Sequence, residues 1–502
     1  MRTNERSVFA KYTDKDTFSK IVMYDSVTDM WKHSVATYAK NVAIMDRGNE
    51  YTYAMLEEDA AGFRGVLQQN GIQKGDRIAI LAVNSYEFVK AFIAAVTYGC
   101  TVAVLPPQLD DMTVFGCCFK FGVKALVYGE GMDEKIKVAQ AKRVMCLSAA
   151  TTAQPVVANK CLPSDGCVIM FTGGTTGRSK GALLTNKAVM NGTVNGCYGI
   201  KEVFEQRYLL VLPFSHVFGL IRNLMNVLYT GSVLCICRNN KDMFRDIAIY
   251  RPTHMVMVPA LAELALTISK KNNKNMLGDD LKYIICGAAA VPPYLIEEYD
   301  KLGIGLFAGY GLTESANLVS GNPENKAKPN AVGLMYPNQE YRIVDGELQL
   351  KGDNMMSGYV GDEDETAKAY TDGWFRTGDL VRMDEDGFLY IVGRIKEIIV
   401  LPTGENVSPA EVEEKFNALP TVQCSQVFED VRENGKHILA LEVVPRTTEV
   451  ERLHISQDDI MQELKQVNES LLPHQRVSRI EIRTTDFDRT PAMKIKRYKK
   501  CQ

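Results

Sequence analysis

Nowhere in its 502 residues does this chain place its cysteines at the Cys-x2–4-Cys spacing a structural zinc site needs, although it holds twelve of them. Cys117-Cys118 and Cys235-x-Cys237 sit in apolar surroundings and read as buried free thiols, so a reduced, cytoplasmic protein is expected. Charge of one sign is also missing. Lys and Arg total 58 against 61 Asp and Glu, a net charge of -3, which gives no general pull toward nucleic acid or an anionic membrane. No run of eighteen apolar residues occurs, so no transmembrane segment is expected, and the polar N-terminus lacks a secretory core. What remains is an ordinary globular composition, 46% hydrophobic and 24% charged, in a chain long enough for two or three domains.

The most informative stretch is Cys167–Gly181, CVIMFTGGTTGRSKG. Val168–Phe171 reads as a buried strand that delivers the chain into a loop rich in glycine and threonine. Glycines let successive amides turn inward as an anion-binding nest, and hydroxyls and Lys180 add donors matched to phosphate. The order differs from the common P-loop, because Ser179 precedes Lys180 and Gly181 follows it.

Around this loop, helix-like and strand-like segments alternate. Thr52–Gln69 has helical spacing and is stopped by Gly71; Arg77–Leu81, Thr101–Leu105 and Ala125–Tyr128 read as buried strands, with a helix at Ser85–Tyr98. That rhythm predicts layered α/β architecture with parallel strands. Residues 140–165 are less regular and read as a connector, and Leu183–Ile200 contains a helix. Near the other end, Ile438–Val444 and Ser478–Ile482 read as strands and Asp458–Glu469 as a helix, an α+β unit. Ser408-Pro409 with Glu411 reads as a capped helix start.

Four further clusters carry chemistry. His216 follows the strand Tyr208–Pro213 and is flanked by Phe214 and Phe218. It is either a hydrogen-bonded structural residue or a switchable ring beside an apolar acyl group. Gly287, Ala288 and Ala289 follow the strand Leu281–Cys286, where small residues allow either tight helix packing or close approach of a flat ligand. In Gly309–Glu314, the Tyr310 ring can stack on a base, Thr313 can donate to an α-phosphate, and Glu314 can hold a divalent cation. The alternative makes Tyr310 a core residue and Glu314 a local cap. In Thr377-Gly378-Asp379, the carboxylate can accept both hydroxyls of a ribose.

The loop at Thr172, Gly173, Gly174, Thr175, Thr176, Gly177 and Lys180 resembles the phosphate-binding signature T-S-G-T-T-G-x-P-K-G of the adenylate-forming (AMP-binding) superfamily, which includes acyl-CoA synthetases. It departs at Gly173 and Ser179. Gly309–Glu314 resembles the G-Y-G-x-T-E motif of the same superfamily, and Thr377–Asp379 its ribose-binding aspartate. Thr490-Pro491-x-Met493-Lys494 is similar to the terminal catalytic-lysine motif, especially as written in long-chain acyl-CoA synthetases, with Lys496 the nearest rival to Lys494.

The resemblance implies a large N-terminal domain, 1–395, of layered α/β subdomains and a small mobile α+β domain, 396–502, turning about Lys396. It implies that Gly287–Ala289 flank adenine, that Arg394 contacts the nucleotide, and that His216 gates the acid. It implies ATP, Mg²⁺ and coenzyme A as participants, with a carboxylic acid, of the fatty or another hydrophobic kind, activated to an acyl-adenylate. A separate carrier protein is the alternative acceptor. A nucleotide-binding regulatory or scaffold protein without activity is the alternative of another class. Aryl and medium-chain acids stay open.

Overall fold

In a computed structural model, residues 3–172, 180–401, 405–432, 437–489 and 495–497 are described. Gly173–Ser179 and Thr490–Lys494 lie outside them, as do Gly404 and the last residues of the basic tail.

Two sheets build most of the molecule. The first has seven strands, with Thr101–Leu105, Arg77–Leu81, Ala125–Tyr128 and Met145–Ser148 side by side and parallel. The second has nine, with Val233–Ile236, Arg207–Leu210, His254–Met257, Tyr283–Cys286 and Gly305–Leu312 as its parallel centre. Parallel strands need both faces covered. Between the sheets lie helices such as Tyr86–Tyr98, in which every residue but Glu87 is buried. Ser85 caps its start by accepting from the amide of Phe88, and Gly99, at φ 88°, ends it in the left-handed region.

The strands read from sequence at 77–81, 101–105 and 125–128 form as expected. Two elements do not match the sequence reading. The connector at 140–165 includes the strand Met145–Ser148, which extends the sheet edge. Its four half-buried residues carry no alternation to betray it. The other is the strand Lys180–Thr185, antiparallel to Gly166–Thr172; the helix expected within Leu183–Ile200 forms over Asn186–Asn195. Thr172 faces Lys180 in that hairpin, so both feet of the loop are fixed by sheet register.

A five-stranded sheet follows, including Glu347–Gly352, Trp374–Met383 and Leu389–Arg394. Asp372 and Gly373, both at positive φ (51° and 76°), form the tight turn into Trp374. The smaller C-terminal α+β domain pairs Val422–Val431 with His437–Pro445 antiparallel and adds Arg479–Ile482 in parallel. Its core, among them Phe416, Val443 and Leu464, draws only on residues beyond 398. The helix Pro409–Asn417 forms, but Ser408 is not its side-chain cap. The Ser408 hydroxyl instead donates to the carbonyl of Val392 at 2.6 Å, tying the helix start to the preceding strand.

Candidate active site

The carboxyl ends of the nine-stranded sheet open onto a cavity of about 380 Å³ bordered by both large sheets and by residues 394–397. Such an end of an α/β sheet is where ligands settle. Its wall includes Thr172 and Lys180, the two feet of the glycine-threonine loop, together with His216, Ala288, Thr313 and Glu314. Arg394 and Lys396 close the side nearest the small domain. Five widely separated sequence segments therefore face one space.

Each wall residue is held by its neighbours. Lys180 is ion-paired with Glu365 and lies 4.7 Å over the Tyr359 ring. Lys180 and Lys368 together hold the Glu365 carboxyl down at about 2. The Tyr359 hydroxyl donates to Oε1 of Glu314 at 2.7 Å, and burial beside that carboxylate pushes the phenol well above its usual range. Glu314 sits on a single turn, Thr313–Ser315, stabilised by the Ser315 hydroxyl at the Leu312 amide. No group of three or more metal-binding side chains occurs among the described residues. Mg²⁺ bound with a nucleotide needs only one or two carboxylates plus phosphate oxygens, so Glu314 fits that donor set.

His216 accepts the amide of Phe218 on Nδ1 at 3.2 Å, which leaves Nε2 to carry the hydrogen in the neutral ring. The loop before it is pinned by Asn84, whose amide donates to the Leu212 carbonyl at 2.9 Å and accepts from the Phe214 amide at 3.0 Å. Gly287 allows close packing: a Cβ there would meet the carbonyl of Gly309 at 2.9 Å and the Phe218 ring at 3.4 Å.

Behind the wall, Asp379 is 1% exposed. Its Oδ1 accepts from Nε of Arg394 at 2.7 Å and its Oδ2 from the Tyr310 hydroxyl at 2.6 Å. Asp379 and Arg394 face each other across paired strands. Tyr310 is buried with Val319, Tyr341 and Leu350, so in this arrangement its ring belongs to the core. Ala289, by contrast, is exposed just past the wall.

Sequence reasoning missed Glu347. It is 4% exposed, lines the cavity, accepts from the Gly378 amide at 3.0 Å and pairs with Arg376 at 3.0 Å, thereby shaping the Thr377–Asp379 turn. A single glutamate at a strand start gives no signal in sequence. Glu365, inside the helix Glu363–Ala369, and Tyr359 were also missed as site residues.

The small domain touches the large one by defined contacts. The Arg446 guanidinium lies 3.6 Å over the Tyr294 ring and pairs with Glu263, and Lys270 bridges Glu298 and Glu449 at 2.8 Å each. Arg497, in the tail, pairs with Glu413 and with Glu397 of the cavity wall.

A profile of the AMP-binding enzyme family matches residues 31–360. Among characterised proteins, the chain is 28% identical to a long-chain-fatty-acid–CoA ligase of Escherichia coli O6:H1, covering 80% of this chain and 82% of that one. It is 27% identical to 4-coumarate–CoA ligase-like 6 of Arabidopsis thaliana, over 88% and 83% of the two chains. Its fold is similar to that of an anthranilate CoA ligase in complex with anthranoyl-AMP, at a TM-score of 0.84 and 18% identity over 95% and 96% of the two chains. The o-succinylbenzoate CoA synthetase of Bacillus subtilis, in complex with ATP and magnesium ion, gives a TM-score of 0.77 at 23% identity over 93% and 98%.

Proposed function

Because the chain belongs to the AMP-binding enzyme family, we propose that it is an AMP-forming acid–CoA ligase acting on a carboxylic acid with an apolar body. One observation carries this reading: a single cavity gathers Lys180, His216, Thr313, Glu314 and Arg394 beside the Asp379–Tyr310 pair. Acid–CoA ligases among its relatives support the same chemistry.

A carboxylate is a poor acyl donor because its oxygen leaves badly. In the first half-reaction a carboxylate oxygen attacks the α-phosphorus of ATP, the bond to the β-phosphate oxygen breaks, and pyrophosphate departs with its electron pair. The loop Thr172–Lys180 holds the departing phosphates and Thr313 donates to the α-phosphate. Asp379 and Arg394 hold the ribose edge. Glu314 would hold Mg²⁺, which supplies charge neutralisation at the phosphoryl oxygens. Lys494 places its positive charge between carboxylate and α-phosphate, where charge develops in the transition state.

In the second half-reaction the thiol of coenzyme A attacks the acyl carbon, and the carbon–oxygen bond to AMP breaks. His216, on the cavity wall, orients the carboxylate and then borders the thiol's path. The large domain ends at 395 and the small domain, 396–502, turns about Lys396 between the half-reactions. A cytoplasmic setting suits the unpaired thiols of Cys100, Cys118, Cys167 and Cys235.

The test is AMP formation by the purified protein with MgATP and a panel of acids, with and without coenzyme A. The reading requires acid-dependent AMP that rises with the thiol. Adenylate that ignores coenzyme A but is discharged by a carrier protein would move the acceptor to that protein. ATP binding without acid-dependent pyrophosphate across the panel would overturn catalysis.

A further inference from the structure

Six residues past His216, the π-helix Phe218–Met225 carries Arg222, which is 0% exposed. Its Nη1 donates to Asn226 at 2.7 Å, but Nε and Nη2 have no hydrogen-bond partner among the described residues. No carboxylate therefore answers this guanidinium. Arginine stays protonated under any working condition, and a buried charge left unpaired is costly.

The surroundings are polar yet neutral. The Tyr208 hydroxyl stands near the guanidinium without completing a hydrogen bond, and burial pushes it up to about 12. Burial drives His254 down to about 3 and the Cys197 thiol up to about 11, so both are uncharged near pH 7. Asn223 has both amide atoms unpartnered, and Asn195 its carbonyl oxygen. Six of the twelve buried polar side-chain atoms left unpartnered among the described residues belong to Arg222, Asn223, Asn195 and Tyr208. Native interiors satisfy nearly all such groups, so a concentration at one place points to a missing partner.

That place lies behind the wall on which the acid would rest. Phe218 lines the cavity, and Arg222, four residues on, shares its face of the helix. Asn195 donates to the carbonyl of Leu318, another wall residue, at 3.3 Å. The Phe218 ring packs against Gly287 on the cavity side of this helix.

We propose that the acid taken by this enzyme carries a second carboxylate at its far end, received by Arg222 with Tyr208 and the neighbouring amides. The substrate class is thus dicarboxylic, with an apolar stem between the reacting carboxyl and the anchor. This rests on the ligase reading. A bidentate guanidinium–carboxylate pair is strong and directional, and it would neutralise the buried charge.

The experiment compares matched pairs, hexanoate with adipate and octanoate with suberate, by kcat/KM for AMP formation in wild type, Arg222→Met and Arg222→Lys. Melting temperatures check that each variant folds. Wild type should prefer the diacid at least tenfold, and Arg222→Met should lower the diacid-to-monoacid ratio at least tenfold. A wild-type preference for the monoacid overturns the proposal even if neither variant folds, and so does an unchanged ratio in a folded Arg222→Met. Calorimetric binding of the same pairs to wild type reads the anchor without turnover. Diacid binding with no AMP from any acid would sink the ligase reading and keep the anchor, whereas AMP from monoacids alone would do the reverse.

Discussion

The hydroxyl of Tyr310 donates to Oδ2 of Asp379 at 2.6 Å across 69 residues of sequence, while Oδ1 of the same carboxylate takes Nε of Arg394 at 2.7 Å. The carboxylate is thereby fixed from two sides, and burial beside Asp379 pushes the Tyr310 phenol well above its usual range. Tyr310→Phe removes one charge-assisted hydrogen bond, of about 1.5–3 kcal/mol. The expected result is a rise of roughly tenfold or more in KM for ATP. Asp379→Asn should weaken ATP further, because it also leaves Arg394 without its carboxylate. Steady-state kinetics with ATP varied, alongside melting curves, checks both.

Glu314→Gln keeps an acceptor for the Tyr359 hydroxyl but loses the negative charge. The Mg²⁺ concentration for half-maximal pyrophosphate release should rise about tenfold or more, since a hard cation favours a carboxylate over an amide. Chelation should abolish release in both proteins. An unchanged Mg²⁺ requirement would place the cation elsewhere.

His254 predicts the shape of acid denaturation. Its Nε2 faces the Glu202 carbonyl at 2.7 Å, and burial lowers its folded value to about 3 from an ordinary 6.5. Below 6.5 the unfolded chain takes a proton that the folded chain refuses. Stability from this group is therefore intact above about pH 6.5, falls as pH drops through the window between 6.5 and about 3, and levels off below it. The slope is at most roughly 1.4 kcal/mol per pH unit. Urea melts at pH 7 and pH 5 should separate by that order, and His254→Gln should flatten the difference.

The proposed alternation of the small domain has a consequence for Lys270 and Glu449, which meet at 2.8 Å. Lys270→Cys with Glu449→Cys, joined by a short bifunctional thiol reagent, should retain no more than one half-reaction and lose overall turnover at least tenfold. Pyrophosphate release and CoA transfer, measured separately, identify the half that survives. Full turnover in the joined protein would rule out rotation away from this contact.

How much of this was legible in the chain depended on whether a residue's role was local. Arg77–Leu81 and Tyr86–Tyr98 announce themselves by apolar pattern, and the structure places them almost as read. Lys180–Thr185 did not, because its first residues look like the end of a glycine-rich loop, and only pairing with Gly166–Thr172 makes it a strand. Thr313 and Glu314 stood out by their company in one short stretch. Glu347 and Arg222 had no such company: one is a glutamate opening a strand, the other an arginine inside an apolar helix. Their meaning comes from partners supplied, or withheld, by distant segments.

Lys494 is proposed to serve adenylate formation at the cavity that Lys180 and Arg394 line. The most direct measurement compares Lys494→Ala with wild type in the two half-reactions: acid-dependent exchange of pyrophosphate into ATP, and CoA transfer from a preformed acyl-adenylate. Exchange should fall by about a hundredfold or more while transfer persists. Exchange at the wild-type rate in the variant would contradict the account.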